Sequence, residues 1–426
     1  MAGETKLTVE LNKLLQMPYF WPRFICLSLV LAANDFARMF VKTAWLVPLI
    51  VVLVLSGVCF LVFEFFTLKK IKPQFKIKNY AIYLWLIFGL VCIISEIITN
   101  GIPLNSLLIL IILPAFVIMG QEEGFFNFFL LSCALTILAN ITLGLCAYPF
   151  INNNFSLALA SFVPVLLCAL AWVLLNTGKF YTEMFVCLTC LIAELLYLSG
   201  ASGGRTGFMT ILITVFVFVL AIGIKFTAAK KHVTYKISSI NFAIILCVVL
   251  LVSITVSAFI VLDDSSNIVE SPSSIENLST WEKFVTAFSN GNLFSNRGTI
   301  WKYTLSNVKL FGNGADFYSS AEILSPEQTS AHNTFLAVLG HFGIIAFVLF
   351  MVFCIYMLLL SVRYCIRSRR LYIFPFITLT AFYFAGITED LIFMYNPRVF
   401  LLLFYAACAF LITYETKRKA EIKAKR

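Results

Sequence analysis

Short polar clusters interrupt an otherwise apolar chain, and their residue types suit anion binding and proton exchange. The first runs from Ser199 to Gly207 and reads Ser-Gly-Ala-Ser-Gly-Gly-Arg-Thr-Gly. Its small residues let backbone N–H groups approach an anion, Ser202 adds a hydroxyl, and Arg205 brings a planar fork of donors to the start of the following helix. Phosphate and carboxylate fit such a seat equally well, and a flexible turn with a snorkelling Arg is the bland alternative. The second cluster, Asn296 to Trp301, carries Arg297 at the head of a short amphipathic stretch. Taken in isolation, that Arg suits a solvated surface charge. The third, Ala331 to Leu336, holds His332 and Asn333 where a polar loop meets an apolar run. Imidazole titrates near neutrality and is the side chain best suited to exchange a proton there. A helix-capping Asn and a satisfied interfacial His account for the pattern almost equally well.

Metal chemistry is not expected. The chain has only 3 His, and His332 and His341 lie nine residues apart, which turns them to opposite faces of one helix at ~100° per residue. The 12 Cys are scattered through apolar runs, so neither a disulfide framework nor a cofactor is indicated. Cys187 and Cys190 form a C-x-x-C inside a lipid-length stretch with no second pair, which reads as packing.

The elements that must position these clusters are membrane helices. Of 426 residues, 61% are apolar and 12% charged, against ~45–50% and ~25% in soluble domains. That excludes a water-soluble fold. Apolar stretches of ~17–25 residues fall near 20–37, 45–68, 79–99, 103–120, 125–148, 155–175, 181–199, 207–225, 240–262, 332–360, 371–387 and 391–414. The expected fold is therefore an all-α polytopic membrane protein with about twelve transmembrane helices. No short apolar segment precedes a small-residue cleavage site, so the first span is expected to act as its own targeting signal.

With both termini cytoplasmic and spans alternating, most Lys and Arg fall inside, and only Arg38, Lys42, Arg205, Lys283, Arg297, Lys302, Lys309 and Arg398 fall outside. The net charge of +10 is thus an orientation code and not a nucleic-acid footprint. The chain divides into spans one to nine (1–262), an extracytoplasmic loop (263–331), spans ten to twelve (332–414) and a basic tail (415–426). The loop exceeds the ~12–15 residues of an ordinary connector. It is expected to hold a helix capped by Ser295 or Asn296, running through Ile300, Trp301, Leu305, Val308 and Leu310 to Gly312 and Gly314, and lying at the membrane surface.

Charges inside the bilayer cost ~2.5–3.5 kcal/mol each and need a partner or a task. Arg398 pairs with Glu194 in one reading and contacts the bound anion in the other. Glu389 and Asp390 are read as charges at the N-terminus of span twelve or as a further base.

Three features occur in order on one side of the membrane: the Ser/Gly-rich Arg loop, Arg-x-x-Ile-Trp followed by Phe-Gly-Asn-Gly, and His-Asn-x-Phe-Leu opening the next span. Together they resemble the O-antigen ligase and oligosaccharide repeat-unit polymerase superfamily over roughly residues 180 to 410. The resemblance implies a GT-C-like, metal-independent, inverting glycosyltransferase of a bacterial inner or plasma membrane. Its donor would be a polyprenyl-diphosphate-linked oligosaccharide and its acceptor another saccharide, with a flippase and a chain-length regulator as partners. Arg205 and Arg297 match the family's diphosphate-holding arginines, and His332 matches the His that activates the acceptor hydroxyl. Asp316, Glu322 and Asp390 are substitute bases. Ser202, Asn333, Arg398 and Asp390 are expected near substrate, and Trp301, Tyr303 and Tyr318 to stack on sugars or anchor at the lipid boundary. Two glycines separate Ser202 from Arg205, where many members have Ser-Arg adjacent. The preferred reading is a repeat-unit polymerase for capsule, O-antigen or exopolysaccharide. Its alternatives are a ligase for finished chains and, from another class, a flippase or transporter, which would show repeated halves with polar residues at mid-membrane.

Overall fold

The structure, a computed structural model, describes residues 14–39, 46–71, 79–99, 101–147, 154–177, 191–196, 198, 205–231, 297–320, 330–367, 373–392 and 399–424. Among the described residues every regular element is helical. In chain order these are α1 (Phe20–Met39), α2 (Leu46–Ile71), α3 (Tyr80–Ile98), α4 (Leu104–Met119), α5 (Phe125–Ala147) and α6 (Asn154–Thr177). There follow α7 (Arg205–Lys231), α8 (Arg297–Ser306), α9 (Thr334–Arg367), α10 (Ile373–Thr388) and α11 (Val399–Ala424).

Unbroken apolar runs favour helices because a helix satisfies its own backbone groups, which lipid cannot do. Among the described residues four stretches are long and apolar enough to cross a membrane: Val51–Lys70, Tyr80–Ile98, Thr334–Ile366 and Val399–Arg418. Shorter apolar helices accompany them, and Pro114 and Pro164 lie inside α4 and α6. The expected ninth span and most of the seventh lie outside the described residues, as does the segment 263–296. Val54, Leu55, Leu61 and Phe65 of α2 face outward, as expected of a helix whose solvent is lipid.

Side-chain bonds sort the helix ends onto two opposite faces. On one, Arg23 near the start of α1 reaches Glu64 late in α2 and Glu122 between α4 and α5. Its Nε donates to Glu64 Oε1 at 2.7 Å and its Nη2 to Glu122 Oε2 at 2.6 Å, with all three side chains buried. This explains how the apolar span α1 tolerates an Arg: its charge and donors are met inside the bundle. On the same face Asn79 caps α3, accepting from Ala81 N at 3.0 Å, and donates to Ile412 O of α11 at 3.4 Å. The opposite face gathers the end of α3, the starts of α7 and α9, and the end of α10. Among the described residues, α3 and α10 therefore end on the face where α7 and α9 begin.

Helix α9 packs on α3 and α10, and α10 also contacts α6, α7 and α11. Rings fill the centre: Trp85 lies 4.7 Å from Phe353, and Phe382 stacks on Phe404 at 4.3 Å. The expected single span ten is broken at Gly343, which has φ 88° and ψ −177°. Leu310 to Gly314 fills the break. Asn313 N donates to Gly340 O at 2.9 Å and Gly314 N to His341 O at 3.2 Å, while Ile344 N donates to Lys309 O at 3.1 Å. Ser95 of α3 donates to Phe311 O and to His341 O, tying the clasp to the bundle. A Cβ on Gly312, at φ 74°, would meet His341 O at 2.1 Å, so only glycine fits there.

The loop helix also departs from expectation. It ends at Ser306 and does not continue to Leu310, because Asn307 Nδ2 takes the Tyr303 carbonyl at 2.8 Å and the backbone beyond pairs with α9. Its packed stripe is Ile300, Trp301 and Thr304, whereas Leu305 and Leu310 point outward. The face expected to lie on the membrane is thus split between protein packing and exposure.

Candidate active site

Three chain segments meet where α7 and α8 begin and α10 ends. Arg297, the first residue of α8, donates from Nη1 to the Thr388 carbonyl and from Nη2 to Glu389 Oε1 at 3.2 Å. It thereby serves the C-terminus of α10, where a cation is favourable. Glu389 at that same end is the wrong charge for the helix dipole, and the guanidinium offsets it. Glu389 Oε1 also accepts from Thr206 Oγ1 at 3.4 Å. Thr206 follows Arg205, which opens α7. The two arginines singled out in the sequence therefore stand at the first turns of two helices joined through one carboxylate. Gly207 makes this approach possible: a Cβ there would fall 2.3 Å from the Ser156 backbone of α6.

The pair is accessible as well as structured. Arg297 and Glu389 side chains are 20% and 17% exposed, enough to be reached from one side. Among five guanidinium N–H donors, the bonds to Thr388 and Glu389 use only part of the fork.

His332 lies on the same rim, held by its neighbours. Asn333 Oδ1 accepts from Phe335 N at 2.9 Å and Leu336 N at 3.0 Å, capping α9, while its Nδ2 donates to Ile387 O at 2.9 Å. Thr334 Oγ1 donates to Glu389 O at 2.8 Å and accepts from Leu391 N at 3.0 Å. On the other side, Trp301 Nε1 donates to Ala331 O at 3.0 Å. Fastened before and after, His332 adopts φ 46°, a left-handed conformation that costs a side-chain-bearing residue energy. Such strain persists where surroundings impose it, and it leaves the half-buried imidazole on the rim.

Several expected roles change with this geometry. Trp301 and Tyr318 are buried: the indole supports the chain before His332, and the Tyr318 hydroxyl lies 3.1 Å from Thr304 Oγ1 and 3.3 Å from Leu336 O. Neither presents a ring to a sugar. Tyr303 stacks on Phe317 at 5.0 Å. Burial pushes the Tyr318 phenol well above its ordinary range, and the Asp390 carboxylate adds to the shift, so the phenol stays neutral and serves as a strut. The Asn333 amide is occupied by capping and by α10. Glu389 and Asp390 follow the end of α10 and do not open span twelve, whose described helix starts at Val399. Asp316 is exposed. Ser202, Arg398 and Glu322, and hence the Arg398–Glu194 pair, lie outside the described residues, and of Arg205 the backbone alone is described. His341 is buried with Nδ1 2.7 Å from Gly314 O, inside the clasp. No metal-binding group of His, Cys, Asp or Glu occurs among the described residues.

Residues 187–351 match the family model described as O-antigen ligase. No curated protein matches the chain. The matched segment spans less than half of the chain and includes Arg205, Arg297, His332 and the break in α9. It stops before Glu389, so the carboxylate that joins the arginine-bearing helices comes from beyond the matched segment. Sequence reasoning treated Glu389 as a base or a dipole charge. Its real partner, Arg297, stands 92 residues away and left no local signal.

Proposed function

We propose that this rim is the donor seat of a metal-independent, inverting membrane glycosyltransferase that joins polyprenyl-diphosphate-linked repeat units into a surface polysaccharide. The observation that carries the reading is the meeting of Arg297 with the α7 start through Glu389 and Thr206, beside a strained His332. Breaking a sugar–diphosphate bond builds negative charge on the leaving group. Preorganised guanidinium groups and a helix N-terminus stabilise that charge without a cation. Arg297 and Arg205 would hold the diphosphate, Ser202 and Arg398 would border it, and His332 would take the proton from the acceptor hydroxyl attacking the opposite sugar face. Asp390, which follows Glu389 beyond the end of α10, would also border the donor. In this reading the protein has about twelve spans in a GT-C-like bundle, sits in a bacterial inner or plasma membrane with both termini cytoplasmic, and works beside a flippase and a chain-length regulator.

The description of the matched family as O-antigen ligase favours a second reading, delivery of finished chains to an acceptor through the same donor seat. Deletion separates the two. Loss of all polymer beyond one repeat supports the polymerase, and unattached long lipid-linked chains support the ligase. Purified protein should extend a lipid-linked oligosaccharide in vesicles without an ion gradient. Failure to do so in both polymerase and ligase assays, with side-specific labelling placing Asn333 in the cytosol, would overturn both readings.

A further inference from the structure

We infer that Glu389 is a positioning residue that acts as the resident counter-ion of Arg297, holding the guanidinium in the empty seat and yielding it to the donor's diphosphate. The inference rests on the donor seat proposed above. Glu389 Oε1 is shared between Arg297 Nη2 at 3.2 Å and Thr206 Oγ1 at 3.4 Å, so one oxygen fixes the cation and the α7 start together. The 3.2 Å distance to Arg297 exceeds the ~2.7–2.9 Å of strong charge-assisted bonds, and both side chains remain partly exposed. A pair of that kind contributes little to stability and is readily exchanged for a better anion. Arg297 also donates to the Thr388 carbonyl, a second anchor that would preserve its plane while the first changes. The carboxylate and the incoming diphosphate are both anions competing for one cation. Glu389 should therefore weaken ground-state binding of diphosphate while improving the alignment of Arg297 in the transition state.

The test uses full-length protein in nanodiscs, with inorganic diphosphate as the probe of the seat and a lipid-linked oligosaccharide as donor. Glu389→Gln keeps the shape and a carbonyl acceptor but removes the charge. It should bind inorganic diphosphate about five-fold more tightly, lower the donor KM and lower kcat. Thr206→Val keeps the charge and loosens the carboxylate, so it should lower kcat and leave diphosphate affinity unchanged. A purely structural Glu389 would change folded yield and leave both constants per folded molecule alone, which overturns the inference. Weaker diphosphate binding by folded Glu389→Gln overturns it as well. Should Glu389→Gln fail to fold, an unchanged kcat in Thr206→Val is the refuting result. A wild-type protein that binds inorganic diphosphate competitively with Glu389, yet extends no donor, sinks the glycosyltransferase reading and leaves the counter-ion exchange standing.

Discussion

Gly312→Ala is the most informative single change in the scaffold beneath the site. The new methyl would sit 2.1 Å from His341 O, 2.5 Å from His341 C and 2.7 Å from Gly343 N. These are backbone atoms that no rotamer change can move aside. Reaching an ordinary contact of about 3.5 Å means withdrawing the loop by more than about 1 Å, which opens the bonds from Asn313 N to Gly340 O, from Gly314 N to His341 O and from Ile344 N to Lys309 O. Three such bonds at about 1 kcal/mol each, plus about 1 kcal/mol for alanine at positive φ, give a cost of about 3–5 kcal/mol. Heating detergent-solubilised protein and following the monodisperse fraction by size-exclusion chromatography should show a clear loss of stability. Gly298→Ala is the matched control, because nothing lies within 4 Å of its added Cβ and alanine favours the α8 helix by up to about 1 kcal/mol. If Gly312→Ala melts like Gly298→Ala, the clasp is not the structural element described.

Arg297→Lys keeps charge but cannot serve the Thr388 carbonyl, Glu389 and a diphosphate with one planar fork; polymer yield should fall at least ten-fold (about 1.4 kcal/mol) at normal protein level, read by gel of the extracted glycan. Tyr318→Phe removes the hydroxyl bridging Thr304 and Leu336 and should cost about 1 kcal/mol in thermal unfolding. Because burial raises the Tyr318 phenol above its ordinary value near 10, the folded state retains that proton after the unfolded chain has lost it. Its contribution is complete below about pH 10 and declines as pH climbs toward the folded value, and the phenylalanine variant should lack this alkaline decline. Arg23→Met leaves Glu64 and Glu122 buried without their cation and should cost about 3–5 kcal/mol, seen as lost folded yield; the triple change with Glu64→Gln and Glu122→Gln should restore it.

Continuous apolar runs made the helices legible, since lipid selects on length and polarity alone. Expected spans at 79–99, 103–120 and 125–148 coincide with Tyr80–Ile98, Leu104–Met119 and Phe125–Ala147 to within about two residues. The break at Gly343 was hidden because Gly340 and Gly343 are tolerated inside apolar helices, and the segment that completes them lies near residue 312. The pairing of Arg23 leaves no local signal, because its partners Glu64 and Glu122 are 41 and 99 residues distant. At the site, residue type and order along the chain draw attention to Arg297 and His332. It did not disclose that Trp301 and Tyr318 turn inward, because an aromatic that stacks on sugar and one that braces a loop have the same side chain.

The interruption of α9 divides it into a short upper rod, Thr334 to Phe342, and a lower rod that crosses the lipid. The upper rod is riveted to α3, through Ser95, and to α10, through Asn333 and Thr334. The lower rod is held to the same two neighbours by other means, Tyr383 of α10 donating to Cys354 O at 3.0 Å and Phe353 packing on Trp85 of α3. The clasp of Lys309 to Gly314 thus closes a joint whose two arms share the same neighbouring helices, one arm by polar bonds and the other chiefly by rings.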